Sequence, residues 1–337
     1  MQTKLVAPPP PPPVASPSHH QTRSNSASSL HTNIKRFNRK QLNVVSKEIR
    51  GETLIVSKGF CSYQIEDDED KTEYLDELEE IERKARLLAQ WMKESNYAVA
   101  YTGAGISTAA DIPDYRGPKG VWTLEAEGET PASFGERLNE ASPTFAHRAL
   151  ATLMHLPSED ESYLKFLVST NVDGLHLMSG VSPNKMSELH GSRMKKECDR
   201  CKAPHFLISP GSKRIRRPVK CQQCGCFEFS NTGVGFGSPL PPEEWRKAKE
   251  HSERCDLALV LGTSLRVSPA CNLVEHSYKK EGGKLVIVNL QKTPYDKYAS
   301  MVIRGRTDEV MRIVMKELEV PVYKVVDGQL KKVLYRK

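Results

Sequence analysis

The stretch Thr102-Gly-Ala-Gly-Ile-Ser-Thr-Ala-Ala-Asp-Ile-Pro-Asp-Tyr-Arg-Gly117 sets two glycines directly after a short apolar run, with an aspartate and an arginine just beyond them. Gly103 and Gly105 let the backbone turn sharply and approach a pyrophosphate with no side chain in the way, so the segment reads as a nucleotide-phosphate cradle. The third glycine of the dinucleotide fingerprint is missing, which leaves a plain strand-to-helix turn as the alternative. Four distant segments carry polar residues that one cleft can collect: Asn171-Val-Asp-Gly-Leu-His176, Glu188-Leu-His-Gly191, Gly262-Thr-Ser264 and Asn289-Leu-Gln291. Among them, His190 titrates near neutral pH and suits a general base toward a hydroxyl, although a lone histidine also has a structural reading. His176 is read as structural.

A second kind of chemistry lies between these segments. Cys198-Asp-Arg-Cys201 and Cys221-Gln-Gln-Cys224, separated by 19 residues, have the spacing of a four-cysteine zinc ribbon. Four thiolates complete the tetrahedron and leave no position for water, so the zinc is expected to be structural. A redox dithiol is the rival, and two matched pairs exceed what it needs. Cys226 is a free thiol or an alternative ligand, while Cys61, Cys255 and Cys271 read as packed thiols. The run Lys213-Arg-Ile-Arg-Arg217 between the pairs is a solvated loop, a nucleic-acid contact or a nuclear address.

These residues need a scaffold. Ala98 to Tyr101, Phe166-Leu-Val168, Leu257-Ala-Leu-Val-Leu261 and Leu285-Val-Ile-Val288 read as strands buried on both faces, and helical patterns separate them. The expected fold is α/β, a Rossmann-like parallel sheet with ligand at the carboxyl ends of its strands, where Thr102, Ser169, Gly262 and Asn289 fall. Leu75, Leu78, Ile81, Ala85, Leu88 and Met92 recur at helical spacing after the acidic run Glu66 to Asp70, whose charge suits the start of a helix. Residues 193 to 230 break the alternation and read as a small inserted zinc-ribbon module.

The 337 residues suit one compact catalytic unit with an insertion and tails. The net charge of +7 is uneven: residues 1 to 64 carry nine Lys and Arg against Glu48 and Glu52, a basic arm that favours polyanions such as nucleic acid. Its first 33 residues, rich in Pro, Ser, His and Thr, are expected to be disordered. Eight cysteines, four of them paired for metal, point to a reducing compartment. No run of about 18 apolar residues exists and the start has no hydrophobic signal core, so membrane spanning and secretion are not expected. The acid-free first 47 residues permit organelle import.

From about residue 70 to 322 the motifs together resemble the sirtuins. The segments Ile112-Pro-Asp-Tyr-Arg-Gly-Pro-Lys-Gly-Val-Trp-Thr123 and Val286-Ile-Val-Asn-Leu-Gln-Lys-Thr-Pro294 look most like the class IV branch holding the sixth and seventh mammalian sirtuins, with the seventh the closer match. The resemblance implies a Rossmann-like domain with a zinc module, flanked by the arm 1–64 and a basic tail 323–337. It implies removal of acyl groups from lysine with consumption of NAD, yielding nicotinamide and O-acyl-ADP-ribose. Gly103, Ala104, Gly105, Thr108, Asp114, Tyr115, Arg116, Trp122 and Thr170 then bind NAD. Gly262, Thr263, Ser264, Asn289 and Gln291 hold its adenosine half, with the backbone near Thr307 closing over adenine. Asn171 and Asp173 line the nicotinamide pocket, and His190 is the base. An acyl-lysine peptide, histones foremost, runs as an added strand between Val234–Gly237 and Val267. Thr170 stands where the family has Gln, and Ser238 where an acidic residue is commoner. The same cleft suits a mono-ADP-ribosyltransferase, and the basic arm with the zinc module suits a non-enzymatic chromatin or RNA binder. A nuclear location follows from the branch, with a mitochondrion or other organelle as the alternative.

Overall fold

The computed structural model describes residues 71–129, 138–156, 162–209, 218, 220–235, 237–326 and 329–332. The basic arm, the acidic run Glu66 to Asp70 and the basic run Lys213 to Arg217 lie outside them. The strands among the described residues are β1 Ala98–Thr102, β2 Phe166–Ser169, β3 Met186–Glu188, β4 Lys195–Cys198, β5 Pro204–Phe206, β6 Phe229–Asn231, β7 Leu257–Leu261, β8 Lys284–Val288, β9 Met301–Ile303, β10 Tyr323–Val326 and β11 Gln329–Lys332.

Six of them form one parallel sheet in the order β3-β2-β1-β7-β8-β9. Counting only these six along the chain, the order is 3-2-1-4-5-6, the doubly wound arrangement that the apolar runs predict. The sequence turns back between β1 and β7, so the loops that leave these neighbouring strands part in opposite directions and open a crevice. Side chains alternate across the sheet as a period of two requires. Ala98 and Ala100, Leu257, Leu259 and Leu261, and Val286 and Val288 enter one core, with helices Leu78–Glu94, Phe145–Leu153 and Thr307–Glu317. Val99 and Tyr101, Ala258 and Val260, and Leu285 and Ile287 enter the other.

Helix Leu78–Glu94 buries Ile81, Ala85, Leu88, Ala89 and Met92, one stripe at the 3.6-residue period. Two residues of the expected stripe are not part of it: Leu75 and Leu78 are 65% and 66% exposed. The reason is that the chain before Leu78 is held by its backbone, with Tyr74 N donating to Leu290 O and Asp76 N to Arg304 O. The helix opens on Glu79 and Glu80, which meet the positive end of its dipole.

The inserted module is a three-stranded antiparallel sheet, β5-β4-β6, between the third and fourth strands of the main sheet. Within the span expected as a basic tail, strands β10 and β11 pair antiparallel, and Tyr323 N donates to Thr152 Oγ1 at 3.0 Å.

Leu88 is fully buried where helix Leu78–Glu94 meets the sheet. Leu88→Ala is expected to cost about 2–5 kcal/mol, read as a lower denaturation midpoint at unchanged slope.

Candidate active site

The crevice at the strand-order reversal is closed at its floor by two turns that touch. Gly105 N donates to Gly262 O at 2.8 Å, and Gly262 has φ +59°. A Cβ on Gly103 would lie 2.5 Å from Thr263 Cβ, and one on Gly262 would lie 2.4 Å from Ile106 N. Only glycine permits this approach. It leaves bare backbone facing the crevice, the surface a pyrophosphate takes.

From this floor a cleft opens whose lining includes Gly103, Ala104, Gly105, Asp114, Tyr115, Arg116, Trp122, Thr170, Asn171, His190, Gly262, Thr263, Ser264, Asn289 and Gln291. Every one is a residue that the sequence marks for the site. Three others are absent from the lining. Thr108 is exposed and donates from Oγ1 to Gly105 O, bracing the turn. Thr307 begins helix Thr307–Glu317. Asp173 is buried behind the cleft wall.

The wall formed by residues 114–122 is hung from the opposite side. Gln291 Nε2 donates to Arg116 O at 2.9 Å, Arg116 Nη1 donates to Ser264 Oγ at 3.2 Å, and the guanidinium lies 4.5 Å over the Trp122 ring. Tyr115 packs against Trp122 with ring centroids 4.9 Å apart. Asp114 Oδ1 accepts Gly117 N and closes the turn between them, while burial raises its pKa.

The other wall holds a buried polar network. Ser107 Oγ donates to Asp173 Oδ2 at 2.7 Å and accepts from Asn171 Nδ2 at 3.2 Å, and Leu175 N donates to Asp173 Oδ1 at 2.8 Å. Burial raises the Asp173 pKa against these bonds. Ser107, which sequence reasoning did not mark, joins the two marked residues Asn171 and Asp173. Its signal was position, two residues past Gly105, where a turn just closed by glycine points the next hydroxyl back toward the strand ends.

His190 lines the cleft, and burial holds its pKa below the ordinary 6.5 while a bond to the Thr170 backbone opposes that shift. Held neutral by burial, the imidazole has a ring nitrogen able to take a proton. Thr170 Oγ1 donates to Thr102 O, so its short side chain is spent on the backbone. His176 is structural as expected: its Nε2 meets Thr102 Oγ1 at 2.9 Å, and burial brings its pKa to about 3.

The four paired cysteines converge, with Cys198 and Cys224 sulfurs 3.5 Å apart, Cys201 and Cys221 sulfurs 3.6 Å apart, and all four within 4.8 Å of one another. A tetrahedron with Zn–S near 2.3 Å has sulfurs about 3.8 Å apart, so the quartet fits zinc. The pairs share one knuckle. Lys202 N donates to Cys198 O and Gly225 N to Cys221 O, both at 2.9 Å, and Lys202 and Gly225 both have positive φ. The four thiols share their protons: backbone N–H groups, chiefly that of Cys201, hold the Cys198 thiol down to about 6, while Cys224 is pushed up to about 12. Cys226 is outside the quartet, its sulfur accepting from Glu228 N, because the chain turns at Gly225 and carries it away.

Residues 131–269 match the Sir2 family model. The chain is 37% identical over 263 residues to the NAD-dependent protein deacetylase Sirt6 of Drosophila melanogaster, spanning 74% of this chain and 81% of that one. It belongs to the sirtuin family. Further relatives of this sirtuin are the NAD-dependent protein deacetylases SRT1 of Arabidopsis thaliana, at 41% identity over 76% of this chain and 54% of that one, and sirtuin-7 of Homo sapiens, at 38% over 74% and 64%. The chain thus spans about half the length of the plant relative. Among solved structures, a Sir2 complex with p53 peptide and NAD+ is 33% identical with a TM-score of 0.51, covering 68% of this chain and 97% of that one. A Sir2 variant with deacetylated p53 peptide and 3'-O-acetyl ADP ribose is 31% identical with a TM-score of 0.54, covering 70% and 98%.

The wild-type chain is expected to hold one zinc, and Cys201→Ser to lose it together with the fold of the module. Metal analysis with thermal melts in the presence of a chelator checks this; an unchanged melt after chelation counts against a structural metal.

Proposed function

We propose that this sirtuin is an NAD-dependent protein-lysine deacylase, releasing nicotinamide, free lysine and O-acyl-ADP-ribose, with a catalytic unit spanning about residues 70–322. The observation that carries the reading is the convergence, at the strand-order reversal, of a side-chain-free glycine floor with His190 and Asn171 on one wall and Tyr115, Arg116 and Trp122 on the other. NAD, when bound, supplies the electrophilic sugar carbon from which nicotinamide leaves.

The chain's own residues then have separate tasks. Gly103, Ala104 and Gly105 offer backbone to the pyrophosphate, while Ser264, Asn289 and Gln291 offer polar groups to the adenosine half. Tyr115, Arg116 and Trp122 form a cover that keeps water from the reacting carbon. Asn171 presents its amide to the nicotinamide end, oriented by its bond to Ser107 Oγ. Asp173 reaches the cleft through that same serine, so it acts as a fixed dipole and charge behind a centre that grows positive. His190, neutral at cellular pH, takes a proton from a ribose hydroxyl at its free ring nitrogen. The peptide enters as an added strand beside residues 234–237 and Val267, the latter on the cleft lining.

The test is mass spectrometry of acyl-lysine histone peptides incubated with and without NAD. A mass loss of one acyl group only with NAD supports the reading; a gain of ADP-ribose on protein with no acyl loss overturns it. His190→Tyr is expected to abolish turnover with zinc content unchanged. In the wild type, the acid limb belonging to His190 lies below pH 6.5, because a base whose pKa is lowered stays deprotonated further into acid.

A nuclear location with histones as substrates belongs to the same reading. Its support is the excess of Lys and Arg in residues 1–64 and the run Lys213 to Arg217, which suit polyanions. No helix among the described residues is long and apolar enough to cross a membrane. Deleting residues 1–64 is expected to weaken nucleic-acid binding and flatten its salt dependence, while deacylation of a short free peptide stays within about twofold. Imaging of a carboxyl-terminally tagged chain separates nucleus from organelle.

A further inference from the structure

Arg193 follows the His190-Gly191 corner and lies alongside the loop that carries Asn171 and Asp173. Its backbone N donates to Val172 O at 3.0 Å, so the residue is fixed to the loop between the two polar side chains. The next residue locks the contact from the other side, since a Cβ on Gly174 would lie 2.4 Å from Met194 Cγ. At the far end of the side chain, Nη2 donates to Asn139 Oδ1 at 2.6 Å. Nη1 is buried with no partner, and among the described residues the guanidinium makes no ion pair. The guanidinium is half-buried with its Nη1 enclosed, and the carboxylate whose charge acts on it is Asp173.

We propose that Arg193 is a positioning residue for this site, pinning the Asn171–Gly174 loop to Asn139 and setting a fixed positive charge behind the Asp173 carboxylate. Its role in turnover rests on the deacylase reading, but its effect on Asp173 does not. Asp173 is faced by the hydroxyl of Ser107 and the amide of Asn171, both neutral, by Tyr115, by the buried Glu188 and by Arg193. Arg193 is the cation among them. Burial pushes the Asp173 proton on, and Arg193 works against it. Without the guanidinium the carboxylate takes up a proton more readily, Ser107 loses its acceptor, and the Asn171 amide loses the orientation that Ser107 gives it.

The sign of the stability effect follows from linkage. An acid whose folded-state pKa exceeds its unfolded value of about 3.9 costs stability as pH rises through that interval, and removing Arg193 enlarges the cost. The melting-temperature deficit of Arg193→Met is therefore present at pH 7.5 and shrinks as pH falls through the raised Asp173 pKa, where the folded state of both proteins takes up the proton.

Two measurements on the full chain test the assignment. In the first, melting temperatures are taken for wild type, Arg193→Met, Asp173→Asn and the double variant at pH 7.5 and pH 4.5. The deficit caused by Arg193→Met is expected to fall at least by half in the Asp173→Asn background and at the lower pH; equal deficits in all conditions overturn the proposal. This arm reads Asp173 whether or not the chain deacylates lysine. In the second, the pH profile of NAD-dependent peptide deacylation is compared for wild type, Arg193→Met and Arg193→Lys. Arg193→Met is expected to move the Asp173 acid limb upward by about one pH unit and Arg193→Lys to restore it. A limb that stays put in Arg193→Met, or a lysine variant no better than methionine, overturns the charge role.

Discussion

Two backbones in contact at Gly105 and Gly262 set the geometry of this molecule. The strands they leave, β1 and β7, are hydrogen-bonded neighbours running the same way, so both turns surface at the same level and must pass each other within a few ångströms. A methyl group at either crossing point would lift one turn off the other. The wall at 114–122 has no strand of its own beneath it and hangs from Ser264 and Gln291, which issue from β7 and β8. The opposite wall takes its polar network from Ser107, three residues past the crossing strand's first glycine-bound neighbour at Ala104. The cleft is therefore not a set of independent contributions; each wall inherits its place from one close approach.

Charge in the cleft is governed by burial. His147 and His176, packed at a tilt with ring centroids 4.6 Å apart, are both held neutral because neither is solvated well enough to carry a proton. Asp114, Asp173 and Glu188 are all pushed toward their protonated forms, Glu188 to about 7. A region this reluctant to hold charge makes each fixed dipole in it stronger, which is what a reaction that develops positive charge on a sugar needs. It also explains why hydroxyls and amides, not lysines or glutamates, make up the contacts between its segments.

Much of this was legible in the sequence. The four central strands announce themselves as continuous apolar runs because both faces are covered, and the cysteine pairs announce their module by spacing alone. The edge strands β3 and β9 went unread: three residues of Met-Ser-Glu or Met-Val-Ile are too few to show a period. Leu75 fits the helical spacing by coincidence, since periodicity says nothing of where backbone pairing holds a chain off the helix, and Leu78 opens the helix with its side chain exposed. The carboxyl hairpin hid behind a basic composition, although Asp327-Gly328 between two alternating stretches is a strong local hairpin signal. For the site, residue type identified what lines the cleft but not what stands behind it. Asp173 was marked as lining the pocket but stands behind its wall, and Ser107, which joins it to Asn171, was not marked; only packing reveals that link.

The inserted module leaves and re-enters the fold at a single clasp. Gly191 has φ +76° and sits so close to Thr232 that a Cβ there would lie 1.8 Å from its carbonyl oxygen, Ser192 N donates to Thr232 Oγ1 at 3.1 Å, and Val234 N donates to His190 O at 3.0 Å. The two legs are thus buttoned together beside His190 before the metal knuckles begin. Lengthening a loop beyond such a button costs little, about 0.6 kcal/mol for each doubling. The loop between the two cysteine pairs can accordingly change in length at little cost, while Arg193, Met194 and the four cysteines stay fixed by their contacts and the imidazole at the root keeps its coordinates.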